Sequence, residues 1–127
     1  MAKKPRVLVI GLDCAEPSLV FDHWLNDLPT LKRLAQGGLW GRLESTIPCI
    51  TVPAWMAMMT SKDPGQLGFY GFRNRGDFSY KDLSFATSLM VREQTVWDIL
   101  GKAGKRSTVI GVPPAYPPKP INGALIT

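Results

Sequence analysis

The alternation of apolar and polar positions divides the chain into aliphatic runs separated by short helical segments. Residues 6–12 form a nearly continuous β-branched and aliphatic run, which is typical of a strand buried on both faces of a parallel sheet. Residues 39–44, 105–112 and 124–127 are predicted as three further strands. The pattern therefore predicts an α/β fold.

Helices are predicted between these strands. Residues 19–28 could form a short helix, and residues 29–36 form a clearer one, in which Leu31, Leu34 and Ala35 share a face and two glycines follow. Near the end of the chain, Thr95 and Asp98 are spaced as a capping box, which predicts a helix that runs to about residue 103.

The stretch at residues 45–60 changes from an extended segment into a short apolar helix. Proline suits the first turn of a helix and disfavours helical geometry in the residue before it, so we expect the helix to begin at Pro53 and Val52 to be extended. Thr51 would then lie just outside the helix, where N–H groups and the helix dipole favour a phosphate. Its hydroxyl is placed either to cap the helix or to attack a phosphoryl group.

Asp13 is the second candidate residue because it directly follows the first predicted strand. Ligands of open α/β sheets bind beyond the carboxyl ends of the strands. The alternative role for Asp13 is that of a turn or capping residue.

Two later segments are predicted to be irregular. Residues 68–72 are rich in glycine and aromatic residues, and residues 73–94 show no sustained periodicity, which predicts an irregular excursion. The proline-rich residues 113–118 should form an extended loop.

Composition narrows the class of protein. The chain has 127 residues, a net charge of +5 and 45% apolar residues, which is ordinary for one small folded domain. The sequence has no apolar run of membrane-spanning length and no signal-peptide core, so we expect a cytoplasmic protein without a membrane partner.

The basic groups near the two ends of the chain are not interleaved with aromatic residues, so nucleic acid is not predicted as a partner. His23 is the only histidine and is expected to be structural or exposed.

Several motifs together resemble the N-terminal part of the alkaline phosphatase superfamily, and specifically its type I phosphodiesterase/nucleotide pyrophosphatase family. The similar segments are residues 9–13, 28–38, 51–55 with Thr60, 64–65 and 109–118. The resemblance implies a doubly wound, mostly parallel sheet with helices on both faces. It also implies that residues 1–127 are a single N-terminal fragment of a larger catalytic domain.

The resemblance also implies a chemistry. Asp13 matches an aspartate that ligates one metal of a two-metal site, and Thr51 matches the nucleophile, which also contacts metal. The implied cofactors are two divalent ions, zinc in the first place with manganese or iron as alternatives, and the implied substrate is a phosphate ester, either a small molecule or a nucleotide.

The chain departs from the family pattern in its ligand set. Members carry further aspartates and histidines downstream of the nucleophile, in Asp-x-x-x-His and Asp-His pairs that this sequence lacks. We therefore expect the fragment alone to be inactive and to bind metal weakly. An asparagine that helps to hold phosphate in the nucleotide pyrophosphatases aligns with Phe72, so that role is not carried over to Asn74.

Two alternatives stay open at this point. The chain could be a non-catalytic module that retains the sheet edge, binds a partner through its aromatic loop or associates with itself. A nucleotide-binding α/β domain is a weaker alternative, since the first strand is followed by no G-x-G-x-x-G and the sequence has no Walker lysine.

Overall fold

A computed structural model describes residues 6–77 and 79–127 of the chain. The chain forms two compact units, the first ending at Leu43 and the second running from Glu44 to Thr127.

The first unit is built from short helical turns. A π-helical turn at Ser18–His23 and a 3-10 turn at Leu25–Asp27 occupy the segment predicted as one helix, and helix α1 follows at Pro29–Gly37. The prediction of a helix at residues 29–36 is confirmed. The rings of Phe21 and Trp40 stack with centroids 4.5 Å apart. None of the described residues of this unit is fully buried.

The strands predicted at residues 6–12 and 39–44 are not formed, and this part of the prediction is wrong. Both segments lack ladder hydrogen bonds, and the aliphatic side chains between Val7 and Leu12 are 58–89% exposed. The described part of the first unit contains no strand, so these residues have no ladder partner within the unit. A strand in the interior of a parallel sheet forms only when neighbouring strands supply its hydrogen-bond partners. Its own sequence is not sufficient.

The second unit contains the remaining elements. Its helices are α2 at Thr51–Thr60, α3 at Pro64–Leu67 and α4 at Val96–Lys102, with a 3-10 turn at Ser88–Met90. Its strands are β1 at Arg73–Arg75, β2 at Leu83–Phe85, β3 at Ser107–Ile110 and β4 at Gly123–Ile126.

Helix α2 begins two residues earlier than the sequence predicts. Thr51 and Val52 are helical, and the extended residue that precedes the helix is Ile50, with φ −116° and ψ 144°. Pro53 is tolerated at the third helical position because the N–H groups of the first turn have no partner inside the helix. Val52 is buried in the core, so packing outweighs the preference against helix before proline.

One hydrophobic core holds the second unit together. It contains residues from α2, α3, α4 and β3 and from the loops between them: Val52, Met56, Leu67, Phe69, Val91, Trp97 and Val109. The capping box of α4 is confirmed, since the Asp98 carboxylate accepts a hydrogen bond from Thr95 N at 2.9 Å. Met58 is exposed on α2, so this apolar helix packs against the core on one side only.

The second unit contains one parallel pair of strands, β3–β4, which agrees with the α/β prediction. Ser107 pairs with Gly123 and Ile110 with Ile126. The predicted proline-rich loop connects the two strands, in place of the helix that usually makes such a crossover. Gly123 has φ +149°, and a Cβ there would lie 1.8 Å from Ser107 O, so only glycine fits. The mixture of helices and short sheets agrees with an α/β fold, and the larger doubly wound sheet stays a prediction.

Residues 73–94 contain a short antiparallel hairpin. Strands β1 and β2 pair Arg73 with Phe85 and Arg75 with Leu83. The 3-10 turn follows, and other described residues of the segment are irregular.

Candidate functional site

Thr51 is the first residue of the ten-residue helix α2. The N–H groups of a first turn have no intrahelical acceptor and carry the positive end of the helix dipole. Ile50 occupies the capping position, and its apolar side chain makes no capping hydrogen bond. Pro53 contributes no N–H, so the polar character of this helix start comes from Thr51, its hydroxyl and the neighbouring backbone. The half-buried Thr51 is therefore positioned where an anion is favoured.

The aromatic loop at residues 68–72 lies beside this helix start. A Cβ on Gly71 would be 3.8 Å from Ile50 Cδ1, which fixes the loop next to the residue that precedes Thr51. Within the loop, Phe69 is completely buried, whereas Tyr70 and Phe72 are exposed. The loop is therefore anchored through one ring and presents the other two to solvent.

Asn74 fixes the shape of the same loop. Its Oδ1 accepts a hydrogen bond from Tyr70 N at 2.7 Å, and its Nδ2 donates one to Gly71 O at 2.9 Å. The side chain is buried, and both ends of the amide bind backbone. Asn74 thus has a structural role in the loop.

We expect Asn74→Ala to destabilise the second unit by about 1–3 kcal/mol, because it leaves the Tyr70 N–H and the Gly71 carbonyl without their partner. The free energy of unfolding, measured by urea denaturation, tests this. The matched control is Asn122→Ala, which removes an exposed amide that donates to Lys105 O and should change stability by no more than about 0.5 kcal/mol. Equal losses in the two variants would contradict the assigned role.

Asp13 lies in the first unit, in the turn that follows residues 6–12. Cys14 adopts the left-handed conformation with φ +58°, and its carbonyl accepts a hydrogen bond from Glu16 N at 2.8 Å. Hydrogen bonds from the side chain and the backbone of Ser18 hold the pKa of the nearby Glu16 carboxyl below its usual value. Asp13 is exposed. Because Asp13 and Thr51 belong to different units, their convergence on one cation stays a prediction.

The donor chemistry fits part of a metal site. Asp13 offers a carboxylate and Thr51 a hydroxyl, which are oxygen ligands suited to a divalent ion. Among residues 6–77 and 79–127, no three or more His, Cys, Asp or Glu side chains are grouped as a metal centre would require. His23 is exposed in the π-helical turn of the first unit. Asp13 and Thr51 therefore supply only part of the ligand set that a divalent metal ion requires.

Sequence reasoning missed the Arg73 and Arg75 side chains as a feature. They project from β1 beside the rings of Phe85 and Tyr80. The available signal was the alternation of apolar and polar residues in Leu-Ser-Phe. Each strand has only three residues, which is too short for such an alternation to predict a strand.

Comparison with known proteins decides the family. A family model of type I phosphodiesterases/nucleotide pyrophosphatases matches residues 7–124, which is nearly the whole chain. The chain belongs to the type I phosphodiesterase/nucleotide pyrophosphatase family. The resemblance to this family, within the alkaline phosphatase superfamily, is thereby confirmed. Searches of curated proteins and of solved structures gave no match.

Membership of the type I phosphodiesterase/nucleotide pyrophosphatase family indicates a phosphodiesterase- or pyrophosphatase-like hydrolase that acts on phosphate esters. Both candidate residues, Asp13 and Thr51, fall inside the matched range. Within the described part of this family member, no helix is long and apolar enough to cross a membrane.

Proposed function

We propose that this chain carries the nucleophile and one metal-ligating carboxylate of a metal-dependent phosphoryl-transfer hydrolase. Thr51 is the nucleophile, and Asp13 and Thr51 contribute oxygen ligands to a site for two divalent ions, zinc in the first place. The substrate is a phosphate ester, either a small molecule or a nucleotide.

The observation that carries the proposal is the position of Thr51 at the start of α2, inside the range that the family model matches. A hydroxyl at that position lies at the positive end of a helix, where a phosphoryl group is favoured. The adjoining loop is held by two hydrogen bonds of Asn74 and by the buried Phe69, which supports a defined backbone beside Ile50.

The proposed reaction has two steps. Thr51 Oγ1 gives up its proton to solvent water and forms a bond to phosphorus. The bond from phosphorus to the leaving oxygen breaks, and that oxygen departs with the electron pair and takes up a proton from water. The product is a phosphothreonine at Thr51. Water then attacks the same phosphorus and loses a proton to solvent. The bond to Thr51 Oγ1 breaks, Oγ1 regains a proton from solvent, and phosphate or a phosphate monoester is released. Two successive displacements split one difficult hydrolysis into two easier steps.

A free threonine hydroxyl is a poor nucleophile at neutral pH. The bound divalent ions would supply the positive charge that favours loss of the hydroxyl proton and that stabilises charge on the entering and leaving oxygens. In this proposal the chain contributes two groups to the chemistry. Thr51 supplies the attacking oxygen at the helix start, and Asp13 supplies a carboxylate.

We expect the 127-residue chain alone to show no hydrolysis of bis-p-nitrophenyl phosphate above the buffer-plus-metal rate with Zn²⁺ or Mn²⁺. Its described residues provide too few grouped ligands for a transition-metal centre. The product of the whole reading frame that contains residues 1–127, assayed in parallel, should hydrolyse the ester and should lose that activity when the metal is chelated.

The two proteins test different parts of the proposal. Hydrolysis by the isolated chain at a rate comparable to the whole product would contradict the incomplete ligand set. A whole product that is folded and inactive toward mono- and diesters with zinc, manganese and iron would contradict the hydrolase function itself.

A second candidate, a self-associating non-catalytic module, is favoured by one observation. Ile110 and Ile126 project from the face of the β3–β4 pair opposite the core and are 66% and 57% exposed. Light scattering distinguishes the candidates, because such a module forms a discrete oligomer, whose formation should be lost in Ile110→Thr.

A further inference from the structure

The hairpin formed by residues 73–85 presents cations and aromatic rings together on its outer face. The Arg73 guanidinium carbon lies 5.3 Å from the centroid of the Phe85 ring, its partner in the strand register. The Arg75 guanidinium carbon lies 3.9 Å from the centroid of the Tyr80 ring. We call these residues 73–85 the basic hairpin.

The alternation of side chains along β1 places both arginines on the same face. Arg73 and Arg75 are exposed, whereas Asn74 between them is buried. Residues two apart on a strand are separated by about 7 Å. This separation is close to the spacing of consecutive phosphates along an extended nucleic-acid strand, so each guanidinium can meet its own phosphate.

The rings beneath the arginines stay accessible. Tyr80 is 81% exposed and Phe85 is 64% exposed, so a guanidinium covers only part of either ring. Aromatic rings of this kind stack on nucleobases irrespective of sequence, and stacked guanidinium planes keep their N–H edges for phosphate oxygens. Each arginine is thus paired with an aromatic ring, so that each pair offers a cation for a phosphate and a ring for a base.

We propose that the basic hairpin binds single-stranded nucleic acid, with consecutive phosphates held by Arg73 and Arg75 and a base stacked on Tyr80. This departs from the expectation drawn from the scattered basic residues near the two ends of the chain. The surface does not depend on Thr51 or Asp13, so the binding goes beyond the proposed hydrolase and stands or falls separately.

The carboxylates of the basic hairpin favour this occupant over an anionic membrane. Asp77 and Asp82 lie between the two strands, where insertion into headgroups would begin, and hydrogen bonds from the side chain and backbone of Ser79 keep the pKa of Asp77 below its usual value. An anionic bilayer approached tip-first would meet these two carboxylates against a single cation, Lys81, and therefore a net negative charge. The arginines and rings lie along the strands instead, where a polynucleotide can pass beside the tip.

The experiment measures fluorescence anisotropy of a labelled fifteen-nucleotide oligothymidylate against the 127-residue chain, with a chelator present to prevent hydrolysis. Wild type should bind at low salt, with log K falling against log salt at a slope of about −1.4 from two phosphate contacts. Arg73→Gln/Arg75→Gln should weaken binding about tenfold or more and remove most of this slope. Tyr80→Leu should weaken binding about tenfold and leave the slope unchanged.

Matched variants separate this site from general basicity and from misfolding. Lys102→Gln/Lys105→Gln removes the same charge from exposed positions at and after the end of α4 and should leave the affinity within twofold. Arg73→Lys/Arg75→Lys keeps both positive charges and should keep the salt slope. Loss of the slope in this variant as well would indicate that substitution at these positions unfolds the hairpin. Thymidine monophosphate, which has one phosphate, should not compete at concentrations at which the oligomer saturates.

Several results would overturn the proposal. One is no binding of the oligomer at low salt, and another is an equal loss of affinity in the Lys102/Lys105 control. Unchanged affinity in Tyr80→Leu would remove the stacking contact on which the proposal depends. Binding of phosphatidylglycerol vesicles that requires Arg73 and Arg75, without oligomer binding, would assign the surface to a membrane instead.

Discussion

Thr51→Ala should reduce the phosphoester hydrolysis of the catalytic protein on the order of 10³-fold or more, because it removes the oxygen that forms the covalent intermediate. The measurement is kcat for bis-p-nitrophenyl phosphate in the product of the whole reading frame. Thr51→Ser keeps a hydroxyl at the first position of α2 and should retain a measurable part of the activity. The order of activity is therefore threonine, then serine, then alanine.

Controls for this prediction use readouts other than rate. The unfolding transition of Thr51→Ala, measured beside that of wild type, separates loss of the nucleophile from loss of the fold. Acid quenching during turnover should trap one phosphoryl group on the wild-type peptide that contains Thr51 and none on the alanine variant. An alanine variant that retains activity within tenfold of wild type would contradict the role of Thr51 as nucleophile.

Phe69→Ala should cost about 3–5 kcal/mol of unfolding free energy, which is the range for deleting a fully buried phenyl ring. Phe69 is 0% exposed and belongs to the core that also contains Met56 of α2 and Trp97 of α4. The ring anchors the aromatic loop, so its removal leaves a cavity and releases the segment beside Ile50. Domains of this size are stable by only about 5–15 kcal/mol, so the loss is a large fraction of the total.

The natural control is Phe72, which is three residues away, has the same side chain and is 57% exposed. Phe72→Ala should change stability by no more than about 0.5 kcal/mol. Urea denaturation followed by tryptophan fluorescence compares the two variants. Similar midpoints for Phe69→Ala and Phe72→Ala would show that the loop is not anchored through Phe69.

Local signals in the sequence predicted the elements that depend on local interactions. Helix α1 follows from a proline start, one apolar face and terminal glycines, and α4 follows from the Thr95–Asp98 capping box. The proline-rich connection before β4 was equally readable, since proline excludes helix. Such features involve residues a few positions apart, so a single sequence contains all the information they need.

Elements that depend on distant residues were predicted less well. Residues 6–12 have the composition of a buried strand, yet strand formation requires a partner that the described first unit does not provide. The start of α2 was misplaced because burial of Val52 outweighs the preference imposed by Pro53. For the candidate site, Thr51 was predicted just outside a helix start and is the first helical residue, and the contacts of Asn74 with the loop could not be read from spacing alone.

The bare aliphatic run between Val7 and Leu12 also has a practical consequence. Five aliphatic residues interrupted only by Gly11, without a charge or a proline and largely open to solvent, are a template for fibril nucleation. Nucleation rises steeply with protein concentration. Preparations of the isolated chain therefore belong in dilute, freshly clarified stocks, so that slow cross-β growth does not mimic a loss of folded material.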